Sequence, residues 1–163
     1  MNQTTPMPAR FWPTFAPRIP LLWRWLDAPL DALQSPLALI GRLYVAQAFF
    51  LSGLTKLRDW DITLALFTDE YHVPLLSPEV AAYAGTAGEL VLPVLLVLGL
   101  GGRIAALGLT VVNIAAVLSL SDIAPAALQQ HISWGIVLAA LAVVGSGRWT
   151  LDRVLGSLRP SAE

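Results

Sequence analysis

The 163-residue sequence contains no cysteine, and only 13% of its residues are charged. The lack of cysteine excludes disulfides, thiolate zinc sites and iron–sulfur clusters held by this chain. Soluble domains carry roughly a quarter charged residues, so the low charge argues against an ordinary soluble protein. The net charge of −1 gives no basic surface for nucleic acid, and two histidines leave little room for a metal or haem site. Walker A, GxSxG, HExxH and dinucleotide-binding motifs are also absent.

Apolar residues, by contrast, make up 56% of the chain, and they occur in four long runs. A helix needs about 20 residues to cross the hydrocarbon core of a membrane. The runs predict membrane-spanning helices at about residues 37–57, 80–100, 103–121 and 128–146. Residues 91–100 are apolar on every side, whereas a surface helix of a soluble protein keeps a polar face. The sequence therefore predicts an all-α integral membrane four-helix bundle.

The distribution of charge around these runs predicts the orientation of the bundle. Arginines precede the first span, lie between the second and third spans, and follow the fourth. Acidic residues concentrate in the other two connections. Because positively charged loops stay in the cytoplasm, both termini are expected to be cytoplasmic.

The segments outside the spans divide the chain into three parts. Residues 1–35 are expected to form a cytoplasmic or interfacial arm, residues 36–155 the membrane domain, and residues 156–163 a tail. Within the arm, residues 21–33 have a partly amphipathic pattern that favours a short interfacial helix bent at Pro29 over an unstructured tail. The connection after span one is long, and a partial helical turn is expected at residues 62–67.

Ionisable side chains inside a span are costly and should face the bundle interior with a partner. Glu89 lies near the middle of span two. We expect it to pair with Arg42 of span one, supported by Gln47 of span one and Asn113 of span three. Lys56 is expected at the outer end of span one, with Ser52 one turn earlier and either Asp59 or Asp122 nearby.

Two interpretations of this predicted network remain open. It can be a buried pair that only fixes how the helices pack. It can also form a polar pocket for a quinone headgroup, an anion or a proton, lined further by Phe49, Phe50, Ser52 and His131. The sequence does not point to any other cofactor. His72 and His131 are expected to be an ordinary loop residue and a helix-entry residue, because nothing local holds them together as metal ligands.

Several motifs occur in a defined order over residues 37–154. Arg42 opens span one, Gly53-Leu54-Thr55-Lys56-Leu57 closes it, and Glu89 lies within span two. Arg103 follows the glycine-rich turn into span three, and a terminal motif follows span four, with Gly145, Gly147, Thr150 and Asp152 as its defining residues. Together these motifs resemble the DoxX family, in which serine usually stands at the position of Thr150.

The resemblance implies a small multi-pass protein of the bacterial inner membrane, with four spans and both termini inside. The family is functionally diverse. It includes a subunit of a membrane thiosulfate:quinone oxidoreductase, relatives linked to thiol and oxidative-stress systems, and members encoded beside metal-stress systems. The resemblance alone assigns no catalytic residue in this chain.

Three functions remain as hypotheses. The first is a non-catalytic or accessory component of a redox, thiol or metal-stress system, with a protein partner or a second copy in the bilayer. The second is a quinone-binding subunit of an oxidoreductase, whose electrons would come from a partner. The third is a small proton-linked transporter, which four spans without inverted repeats make less favourable.

Overall fold

A computed structural model describes the backbone of residues 21–158 and the side chains of residues 32–158. Within this range the chain forms six helices and no strand. The helices are α1 (Leu21–Arg58), α2 (Trp60–Asp69), α3 (Pro78–Leu98), α4 (Gly102–Ser119), α5 (Pro125–Val144) and α6 (Leu151–Ser157).

Four of these helices are long and apolar enough to cross a membrane. They are residues 32–58 of α1 and the whole of α3, α4 and α5. The boundaries differ from the predicted spans by five residues or fewer, and the predicted all-α four-span bundle is confirmed. Many leucine, isoleucine and valine side chains are exposed along these helices, as expected where lipid replaces water.

Local signals explain where several helices begin and end. The Ser77 side chain accepts a hydrogen bond from the Val80 N–H, and Pro78 occupies the first turn of α3. Gly99 ends α3 in the left-handed conformation, with φ of 68°, which glycine adopts without steric cost. Asp59 caps α2 by accepting a hydrogen bond from the Ile62 N–H, which lets a new helix start with only Asp59 between it and the end of α1.

The short interfacial helix expected at residues 21–33 is not a separate element. α1 runs without interruption from Leu21 to Arg58 and includes both Pro29 and Pro36. Each proline removes one backbone hydrogen bond, but the leucine, alanine and glutamine residues between them favour helix. The arm before residue 21 lies outside the described residues.

The ends of the bundle differ. One end, here called the α6 end, contains Ser35, the turn between α3 and α4, and the segment after α5. Close to it, α1, α3, α4 and α5 share an apolar core that includes Val45, Leu96, Leu109 and Leu138. The opposite end, the α2 end, carries a smaller cluster in which Phe67 of α2 packs on Ala81 and Ala82 of α3.

Gly53 determines how α1 packs against α3. A Cβ atom at this position would lie 2.9 Å from Leu90 Cγ and 3.1 Å from Glu89 Cβ. Only a residue without a side chain allows this approach. The contact places Gly53 at the level of Glu89 and thereby sets the register of the two helices.

Replacing Gly53 with alanine should therefore destabilise the bundle by about 1–3 kcal/mol, the usual cost of overpacking. Gly156 in α6 provides a matched control, because a Cβ atom there would meet nothing within 4 Å. Gly156→Ala should be neutral or slightly stabilising, since alanine favours helix. Thermal unfolding in mild detergent measures both, and equal melting temperatures for the two variants would contradict the packing argument.

Candidate ligand-binding site between the helices

Arg42 does not pair with Glu89, contrary to the sequence-based expectation. Its side chain is fully buried, and its two terminal nitrogens donate hydrogen bonds to backbone carbonyls. Nη1 lies 3.2 Å from the Val97 oxygen and Nη2 lies 2.7 Å from the Trp149 oxygen. Val97 lies in the last turn of α3, where helix carbonyls lack intrahelical partners and attract a positive charge.

The register set at Gly53 explains why Arg42 does not reach Glu89. Arg42 precedes Gly53 by eleven residues, which is about 16 Å along a helix. Glu89 lies beside Gly53. An arginine side chain cannot span that distance, and the carbonyls at the end of α3 are nearer.

Lys56 is the partner of Glu89. Its Nζ lies 2.5 Å from Glu89 Oε2 and 3.0 Å from Ser52 Oγ. The Ser52 contact agrees with the sequence-based expectation, whereas the expected aspartate partner is replaced by Glu89. The pair is mostly enclosed, since the Glu89 and Lys56 side chains are 9% and 19% exposed. Because Lys56 is near the end of α1, its side chain points back toward the start of that helix to reach Glu89.

The remaining members of the predicted network separate. Gln47 is exposed on the outside of α1 and contributes nothing to the interior. Asn113 is buried but pairs with His131 of α5, not with Arg42 or Glu89. Asn113 Oδ1 lies 2.8 Å from His131 Nδ1, and Asn113 Nδ2 donates to the His131 backbone oxygen at 3.0 Å.

A cavity of about 400 Å³ lies between the helices in the half of the bundle toward the α2 end. We call it the central cavity. Most of its wall is apolar and formed by small or aromatic residues. Its polar lining residues come from α1, α3, α4, α5 and the loop after α2: Ser52, Lys56, Tyr71, Glu89, Ser119 and His131.

Aromatic rings build one side of the central cavity. The Trp134 ring lies 5.1 Å from the His131 ring and 5.5 Å from the Phe49 ring, measured between centroids. Both contacts have the tilted or edge-on geometry that aromatic pairs favour. Phe50, predicted to line the site, does not line this cavity.

The sequence did not point to Tyr71 and Trp134 as site residues. Trp134 lies one turn after His131, a spacing that places both on one face of α5. Its buried Nε1 has no hydrogen-bond partner among the described residues. Tyr71 lies outside the spans, and burial, aided by Glu70 and Glu89, raises the pKa of its hydroxyl. Tyr71 therefore stays neutral and can donate a hydrogen bond.

The terminal motif, residues 145–152, lies at the α6 end, away from the central cavity. Asp152 accepts a hydrogen bond from the Gly101 N–H at 2.8 Å, and its own N–H donates to the Gly99 oxygen at 3.3 Å. The Thr150 side chain packs so closely against Gly99 that a Cβ atom on residue 99 would clash with it. The motif, which is the segment after α5, is thus fixed to the α3–α4 turn.

The glycines of the motif and Arg103 have separate local roles. Gly145 and Gly147 adopt positive φ angles of 98° and 78°. At Gly147 a Cβ atom would lie 3.1 Å from Ser35 Cα, and the neighbouring Arg148 N–H donates to Ser35 Oγ at 3.0 Å. Arg103 is exposed, and its Nη2 donates to the Val143 oxygen near the end of α5 at 3.3 Å.

The four long apolar helices and the apolar outer surface define a multi-pass membrane protein built as a four-span bundle. The family model described as DoxX matches residues 37–122, which is more than half of the chain. The protein belongs to the DoxX family. The match ends before α5, so it is shorter than the resemblance over residues 37–154 and does not include the terminal motif. Comparisons with curated proteins and with solved structures return no match.

Proposed function

We propose that this protein is an accessory membrane component of a redox system and that it binds a lipid-soluble quinone in the central cavity. The observation that carries the proposal is the cavity itself. Small-molecule sites are usually mostly apolar, about 300–1,000 Å³ in volume, with a few polar groups that orient the ligand. The central cavity has this size and an aromatic wall at Phe49 and Trp134, with Lys56, Glu89 and His131 as polar groups.

The position of the cavity supports a ligand that arrives through the membrane. Val111 of α4 lines the cavity, yet its side chain is 66% exposed. At this residue the wall of the cavity is therefore also the outer surface of the bundle, and only the Val111 side chain separates the two. That surface is apolar, which suits a ligand with a long hydrocarbon tail.

The redox assignment requires a protein partner. The chain has no cysteine to hold an iron–sulfur cluster or to exchange a disulfide. Electrons to or from a bound quinone must therefore pass through another subunit. Membership of a family that includes a thiosulfate:quinone oxidoreductase subunit supports such an arrangement.

We further propose a bacterial inner-membrane location with both termini in the cytoplasm, following the arginine distribution. Ser35 and Arg148 meet at the α6 end. The first span therefore starts, and the last span finishes, at that same end of the bundle. In this orientation the central cavity lies in the outer half of the membrane.

The proton-linked transporter is the weaker alternative. A transport path would have to continue from the cavity to the α6 end. Between them, Val45, Leu96, Leu109 and Leu138 form a core with no exposed side-chain surface.

Titration of the purified protein in lipid nanodiscs with decylubiquinone tests the quinone proposal. Ala84 and Ala87 are both exposed alanines of α3, but only Ala84 lines the central cavity. Ala84→Phe should weaken binding at least tenfold because the ring enters the cavity, roughly 1.4 kcal/mol or more. Ala87→Phe should bind like the unmodified protein. Absence of saturable binding, or equal affinity of the two variants, would overturn the proposal.

A further inference from the structure

The hydrogen bonds between Asn113 and His131 determine which ring nitrogen of His131 carries its proton. The Asn113 amide NH₂ donates to the His131 backbone oxygen at 3.0 Å. This bond can form only with Nδ2 on that side, so Asn113 Oδ1 must face the imidazole. Oδ1 lies 2.8 Å from Nδ1 and can only accept. The neutral His131 ring therefore carries its hydrogen on Nδ1.

The other ring nitrogen, Nε2, is then a hydrogen-bond acceptor. Nε2 has no partner among the described residues, and the His131 ring lines the central cavity. The ring is held further by its edge-on contact with Trp134. The cavity thus presents a fixed acceptor to any ligand inside it.

The cavity also presents hydrogen-bond donors. Lys56 has three N–H groups, of which two are directed to Glu89 and Ser52, so one is left for a ligand. Tyr71, whose neutral hydroxyl can also donate, lines the same cavity. A complementary ligand therefore needs both a donor and an acceptor.

We propose that the central cavity selects the reduced, hydroquinone form of its ligand through His131, with Asn113 as the positioning residue. This inference rests on the proposed function and specifies its ligand. A quinone offers only carbonyl acceptors, which match the Lys56 and Tyr71 donors but leave His131 Nε2 unpaired. A hydroquinone hydroxyl donates to Nε2, and its oxygens still accept from the donors. A bound quinone would cover Nε2 without donating to it, and covering an acceptor without pairing it is costly, so the reduced form should bind more tightly.

Anaerobic titration with decylubiquinol and decylubiquinone in nanodiscs tests this selectivity. We expect the reduced form to bind roughly tenfold more tightly. His131→Phe keeps a ring against Trp134 but removes the acceptor, so it should lower affinity for the quinol to that of the quinone. His72→Phe, at an exposed loop position, is the control and should keep the preference. Equal binding of both forms, or tighter quinone binding, would overturn the selectivity while leaving the quinone site intact.

Solid-state ¹⁵N NMR of histidine-labelled protein tests the positioning role without any ligand. In the His72→Asn background only His131 remains labelled. Near neutral pH the spectrum should show a protonated Nδ1 and an unprotonated Nε2. In Asn113→Leu this single tautomer should be lost. A proton on Nε2 would overturn the inference, as would an Asn113→Leu spectrum identical to the parent.

If neither decylubiquinol nor decylubiquinone binds the unmodified protein, both the inference and the proposed function are wrong.

Discussion

Arg42→Met should lower the stability of the bundle more than any other single substitution of a charged residue at the α6 end. The side chain is fully buried and joins α1 to both the last turn of α3 and the Trp149 carbonyl. Hydrogen bonds from a charged donor contribute about 1.5–3 kcal/mol each, so losing both should cost several kcal/mol. Arg42→Lys should give an intermediate result, because one ammonium lacks the planar fork that reaches two carbonyls.

Thermal unfolding in mild detergent, followed by intrinsic fluorescence, measures this loss. Arg103→Met is the matched control, since Arg103 is exposed and makes one longer contact to Val143. Its melting temperature should stay close to that of the unmodified protein. Equal melting temperatures for Arg42→Met and Arg103→Met would contradict the role assigned to Arg42.

The second large effect is expected at the ion pair in the central cavity. Glu89→Gln keeps the shape of the side chain but leaves the Lys56 ammonium without its counter-charge. Breaking a buried pair in this way costs about 3–5 kcal/mol when both groups are fully enclosed. The partial exposure of Lys56 places the expected cost toward the lower part of that range. Lys56→Met, which leaves Glu89 unpaired, should be similarly destabilising.

The double variant Lys56→Met with Glu89→Gln separates stability from ligand binding. Removing both charges should recover most of the lost stability, because no unpaired charge remains. A double-mutant cycle on the unfolding free energies gives the coupling energy. The double variant should nevertheless bind decylubiquinone more weakly, since Lys56 is a proposed donor. Additive losses from the two single substitutions would show that the pair does not act as a unit.

Much of the fold follows from composition along the chain. The four apolar runs locate the spans, because each residue is transferred from water to lipid largely independently. The helix α6 was missed, as seven residues after a glycine-rich turn have too short a pattern to identify. The continuity of α1 through Pro29 and Pro36 was also missed, since a proline weakens a helix without always ending it.

The sequence predicted only part of the lining of the central cavity. Lys56, Glu89, Ser52, Phe49 and His131 were predicted as members of a polar network or as ligand-lining residues, and all five line the central cavity. The partners of the charged groups were not predicted correctly. Gln47 faces the outside of the bundle. Val45 and Ala46, the two residues before it on α1, are buried, and the next position around the helix points outward.

The sequence alone determined that this chain has four membrane-spanning helices, that Glu89 and Arg42 need partners in the interior, and that no thiol chemistry occurs in it. Only the tertiary structure decided which partners they take. A helix rises about 1.5 Å per residue, so the register of α1 against α3 decides whether Arg42 or Lys56 lies within reach of Glu89. That register depends on the contact of Gly53 with Glu89 and Leu90, an interaction between residues far apart in sequence that no local pattern contains.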